Sequence, residues 1–181
     1  ETLANALSGE DADQLNPVLA SYLFQQAVAY QLQGDTAAQK ESLEKTIALD
    51  PTHSEALLLL ADIAQQAGAL GEAMAFIEAA YAIAPDNIGV RYKRAGMLAN
   101  LERNEAALAQ LDGLLAESLS ETMAYLCFKL RGRLRLLEQA YCEGLEDLLE
   151  ALARRPEDHE AHYMCSMAYM QLNKITEADQ A

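Results

Sequence analysis

The chain has no tryptophan, three phenylalanines, four prolines, three cysteines and only 13 basic residues against 28 acidic ones in 181. Each shortage excludes something. Cys127, Cys142 and Cys165 are odd in number and have no framework spacing, which argues against a disulfide-stapled domain and for free thiols in a reducing compartment. The expected location is therefore cytoplasmic, with a periplasmic or membrane-associated assembly as the alternative. No uninterrupted apolar run exceeds six residues, and the run at 56–61 stops at Asp62, far too short to span a bilayer. No signal peptide is visible at Glu1-Thr2-Leu3. A net charge of −15 opposes nucleic acid, because the phosphates would meet a negative body. There is no GxSxG, no P-loop glycine run and no strand, glycine loop and helix unit, so neither an enzyme nor a cofactor is expected. His159, His162 and Cys165 stand three apart, but His159 opens a helix and Cys165 falls where helices pack, so no metal is expected either.

What the chain does have is a period. Small residues recur at Ala27, Ala61, Ala95, Gly132 and Ser166, at intervals of 34, 34, 37 and 34. Pro51 and Pro85 are 34 apart, and Pro156 follows 71 later. A period of this size marks a stack of like units, each too small to bury its own apolar face. The units read as 20–53, 54–87, 88–121, 125–158 and an incomplete 159–181. Inside each, two apolar runs at helical spacing flank a polar break such as Gln33-Gly34-Asp35. Each unit is thus two antiparallel helices of about 12–14 residues joined by a short turn. The second run carries a further small residue (Ala73, Ala107, Gly144, Ala178) and a large apolar one (Leu43, Ile77, Leu111, Leu148). Backbones approach closely only where a side chain is absent or is a methyl group.

Residues 1–16 read as an N-terminal segment and acidic linker, the segment 1–7 forming at most two turns of helix. Pro17 suits the first turn of the first helix. Residues 17–181 form the repeat domain. In its last unit a second helix is expected to begin near Thr176 and to be too short to stand alone.

This pattern resembles the tetratricopeptide repeat. The second unit is the best match, with 57–61 as Leu-Leu-Leu-Leu-Ala, then Gly68, Ala73, Ile77, Ala80 and Pro85. The place of the large aromatic early in the first helix is held by Leu23, Leu57, Arg91 and His162, and only Phe128 keeps an aromatic. The third unit has Leu119 for its closing proline, and three extra residues follow it. The resemblance implies an all-α, right-handed superhelical solenoid whose first helices line a concave groove. The function implied is a non-catalytic scaffold binding a partner peptide or helix. The alternative is the regulatory or substrate-recruiting region of a larger enzyme or of a secretion or polymer-export assembly.

On that frame the groove holds Phe24 and Val28, then Leu58 and Asp62, then Tyr92, Lys93 and Gly96, then Lys129 and Arg133, then Tyr163, Met167 and Met170. The frame that clamps chaperone-tail carboxylates is missing, because its places hold Phe24, Val28, Leu59, Gly89 and Lys93. Charge adds a second signal. Seven of the 13 basic residues lie in 88–100 and 125–137, which contain no acid. Two readings stand side by side. The strip receives an acidic segment of a protein partner. Alternatively, Arg91, Arg94, Arg131 and Arg135 pair internally with residues such as Glu105, Asp112, Glu146 and Asp147. The uncovered flank of 161–172 implies a weak homodimer.

Overall fold

Alanine, leucine, glutamate and glutamine dominate between the polar breaks, and these residues lose little on entering a helix. The structure, a computed structural model, describes the backbone of residues 9–179 and the side chains of residues 15–173. Among these residues there is no strand. The helices are α1 (Gly9–Gln33), α2 (Thr36–Leu49), α3 (Ser54–Gln66), α4 (Leu70–Ile83), α5 (Ile88–Asn100), α6 (Asn104–Leu115), α7 (Glu121–Leu137), α8 (Tyr141–Arg154) and α9 (His159–Asp179). The fold class is an all-α solenoid of helical repeats, and among the described residues no helix is long and apolar enough to cross a membrane.

The turns inside the helix pairs share one backbone device. Gly34, Gly68, Glu102 and Gln139 all have positive φ, between 59° and 76°. They stand 34, 34 and 37 apart, the same intervals as the small residues. This left-handed conformation reverses the chain within three residues. Glycine enters it freely, whereas Glu102 and Gln139 adopt it against the usual steric preference. Side chains close the helix starts: Asp35 accepts from the Ala38 N–H, Asn87 from Gly89 and Val90, and Ser120 from Met123.

The chain divides into two units, residues 1–97 and 98–181. In the first, Ala27, Leu43, Ala56 and Leu60 form a core with Phe24, Ile47, Leu59, Ile63 and Phe76 around it. Leu57, Ala80 and Val90 form another. In the second, Leu145, Leu148, Ala161, Met164, Cys165 and Ala168 pack α8 onto α9. Here α7 and α8 approach tightly at Gly132 and Gly144. A Cβ on Gly132 would lie 3.0 Å from the Gly144 carbonyl oxygen and 2.9 Å from Leu148 Cγ. Ser166, at the fifth small position, is instead exposed, and its hydroxyl donates to the His162 carbonyl at 3.0 Å.

Two expectations need correction. Helix α1 begins at Gly9 and contains Pro17 in its interior, so residues 9–16 are helix rather than linker. The acidic residues there sit at a helix N-terminus, where the macrodipole favours them, and proline costs one backbone hydrogen bond without ending the helix. Helix α9 runs unbroken to Asp179, with no second helix starting near Thr176, because 173–176 holds neither glycine nor proline to break it. Residues 1–7 and the side chain of Ala178 lie outside the described residues.

Gly132→Ala is expected to lower stability by about 1–2 kcal/mol, since overpacking against backbone exceeds the gain in helix propensity. Gly96→Ala is the control, because a Cβ there meets nothing within 4 Å. It should leave stability unchanged or raise it by up to about 1 kcal/mol. Urea melts of both variants check this, and equal effects would show that the α7–α8 approach is slack.

Candidate partner-binding site

Most of the basic strip is engaged within the fold. In the first unit Lys93 of α5 pairs with Asp62 of α3, so two expected groove residues neutralise each other. Arg94 donates to Glu78 at 2.9 Å and lies 4.8 Å over the Tyr81 ring. In the second unit Arg131 donates to both oxygens of Asp147 (2.9 and 2.6 Å) and to Asp112 (2.6 Å). Arg135 donates to Asp147 at 2.9 Å. Asp147 is 3% exposed. A carboxylate so deeply buried is tolerable only with partners of this kind, and here they tie α6, α7 and α8 together. Internal pairing with Asp112 and Asp147 thus matches one sequence reading, while Glu78 was not foreseen.

Lys129, placed in the groove from sequence, is held from three sides. It pairs with Asp158 and Glu160, each at 2.7 Å, and approaches the Tyr125 hydroxyl. Asp158 also accepts from the Tyr125 hydroxyl and from the N–H groups of Glu160 and Ala161, so it caps α9 as well. Burial by itself raises the Asp158 carboxyl, but hydrogen bonds from Lys129 and Tyr125 outweigh it and hold the group well below the usual carboxylate range. Burial likewise lowers the Lys129 ammonium, and its bonds to Asp158 and Glu160 more than reverse this.

Arg133 is different. It is exposed, and among the described residues it has no carboxylate at ion-pair distance. It lines a cleft of about 280 Å³ with Leu136, Leu137 and Tyr141 on the α7–α8 side and Met164, Met167, Ala168 and Gln171 on α9. Arg133 and Met167, both expected in the groove, therefore meet in one cleft. Leu137 is 67% exposed and Met167 41%. Tyr163 and Met170 are also exposed on α9, outside the cleft lining. Leu136, Leu137, Tyr141 and Gln171 were missed, although Leu137 follows Arg133 by one helical turn and should share its face.

In the first unit Phe24 is half-buried on the Ala27 and Leu43 core, its ring 4.5 Å from that of His53. Val28, Tyr92 and Gly96 are half-buried, and Leu58 packs on the Leu57 core. Of the histidine and cysteine set, Cys165 is buried in the core, where burial pushes its thiol up, and His162 bonds the Pro156 carbonyl at 2.7 Å. Among the described residues no three His, Cys, Asp or Glu could hold a metal.

The tetratricopeptide repeat family model matches residues 20–88. Over residues 20–88 the chain is thus similar to tetratricopeptide repeats. The hairpins beyond them keep the same plan. MamA has a TM-score of 0.72 at 15% identity, covering 90% of this chain and 87% of that chain. PilF of Pseudomonas aeruginosa gives 0.77 at 19%, over 91% and 74%. PilW, a type IV pilus biogenesis factor, gives 0.78 at 22%, over 89% and 73%. At these identities the shared property is the tetratricopeptide repeat fold. No curated protein matches the chain.

Asp158→Asn keeps the cap oxygen and removes the charge. At pH 7 it is expected to destabilise by about 1–2 kcal/mol, between the values for exposed and buried pairs. A carboxylate with a depressed folded pKa stabilises above its unfolded pKa, near 4, and loses that contribution as pH falls further. The gap between wild type and variant should therefore narrow from pH 5 downwards in thermal melts. A gap that stayed constant to pH 2 would show that the pair contributes nothing.

Proposed function

We propose that this chain is a non-catalytic protein-interaction module that receives a partner's peptide or helix on the face shared by α7 and α9. The observation that carries this reading is the cleft of about 280 Å³, apolar in its walls and open beside the exposed Leu137 and Met167. Exposed apolar surface of this kind marks binding faces. The cleft falls just below the volumes of about 300–1,000 Å³ typical of small-molecule sites, which favours one or two anchoring side chains over a cofactor. Partial exposure of Phe24, Val28, Leu58 and Tyr92 supports secondary contacts on the first unit. The odd number and irregular spacing of the three cysteines support a reducing, cytoplasmic setting.

Peptide-display selection on the immobilised chain tests the reading. Enriched peptides should bind the wild type and lose at least about tenfold in affinity on Met167→Glu or Leu137→Glu, because a charge would then enter an apolar contact. Both side chains are exposed, so the variants should keep the helical circular-dichroism spectrum. Peptides indifferent to both variants would place the function elsewhere.

Weak self-association is a second reading, carried by Tyr163, Tyr169 and Met170, each at least half exposed on α9. Sedimentation coefficients should rise with concentration, and Tyr163→Glu with Met170→Glu should abolish the rise. A concentration-independent monomer removes this reading.

A further inference from the structure

We infer that the α7–α9 cleft reads a two-part signature: a large apolar side chain together with one aspartate or glutamate side chain close to it in the partner's sequence, whose carboxylate pairs with Arg133. This rests on the proposed interaction face and names what the face selects.

Three observations lead to it. First, α7 carries four basic residues, and Lys129, Arg131 and Arg135 are each held by carboxylates of the fold. Arg133 has no such carboxylate among the described residues, so its guanidinium keeps its donors for an incoming group. Secondly, among the described residues Arg133 is the only charged one that lines the cleft. A partner that fills the apolar part is therefore brought beside one positive charge and no negative one. Thirdly, the remaining walls are methionine, leucine, alanine, tyrosine and glutamine. Methionine adapts to differently shaped side chains, so the apolar part tolerates leucine, isoleucine or phenylalanine alike. Discrimination then falls to the charge, and a planar guanidinium suits a carboxylate better than any neutral group.

The number of carboxylates follows from the whole molecule. With a net charge of −15, the chain repels a run of acids at long range, while one carboxylate gains the local pairing at small cost. The occupant is thus an apolar-anchored segment with a single acid, rather than a polyacidic tail.

The test uses the 181-residue chain and short fluorescein-labelled peptides with amidated C-termini, so that no terminal carboxylate competes. Each carries one leucine or phenylalanine in a Gly-Ser context, with Glu, Gln or Lys placed one, three or four positions away. Fluorescence anisotropy at low and physiological salt should rank Glu above Gln above Lys. The best Glu peptide should bind about tenfold tighter than its Lys counterpart, as one partly desolvated charge pair allows. Arg133→Glu should reverse the order, and Met167→Glu should weaken all peptides alike. Equal affinities for Glu and Lys peptides, with Met167→Glu still disruptive, would overturn the carboxylate assignment and leave the apolar seat standing. An order that survives Arg133→Glu would also overturn it. If no peptide bound the wild type, the interaction face itself would fall.

Discussion

The tight backbone approach of α7 and α8 at Gly132 and Gly144 is the constraint on which the second unit depends. A helix pair that lacks side chains at its crossing brings two backbones nearly into contact, and everything on either side of the crossing is then placed within narrow limits. Leu148 seats beside Gly132, and Leu136 beside Gly144. The same approach sets Asp147 against Arg131 and Arg135 and holds Leu136 and Leu137 next to α9. In the first unit methyl groups replace the glycines, with Ala61 and Ala73 both buried twelve residues apart. The logic is the same. Close packing leaves no room for a larger residue, so the chain repeats the small one.

Two kinds of basic residue occupy α7, and the crossing sorts them. Positions 131 and 135 lie toward α8 and meet its buried carboxylate. Position 129 lies toward the start of α9 and meets Asp158. Position 133 turns toward the cleft and meets no acid of the described residues. Four charges with nearly the same sequence environment thus acquire separate roles from their angle around one helix. Alternation along the helix, two residues at a time, carries successive basic side chains about 200° around the axis.

The fold was legible because its signal is redundant. Small residues, prolines and turn residues keep one set of intervals, so a weak unit such as the third is read from its neighbours. The left-handed turn was only half legible: Gly34 and Gly68 announce it, whereas Glu102 and Gln139 carry no residue type that demands it. The ends of the array were read worst, because an acidic stretch fits either a linker or a helix start, and residues 173–176 hold neither signal for stopping. The site was legible as a face and not as a set of contacts. Arg133 and Met167, assigned to one groove by the repeat frame, line the same cleft. The pairing of Lys129 was missed because Asp158 and Glu160 lie about 30 residues away, at the start of α9, where pattern within one unit says nothing.

The three additional residues between the third and fourth units have a consequence for surgery on this chain. The interval from Gly132 to Gly144 equals that from Ala61 to Ala73, so the insertion lies outside the crossing of the pair. Helix α7 takes up most of it, running 17 residues against 13 in α3 and α5, and the stretch 117–120 just before it is irregular and largely exposed. Backbone there answers to no crossing. A tag, a cleavage site or new chain ends placed at this joint would meet the lowest resistance the second unit offers, because each hairpin keeps its own internal ruler.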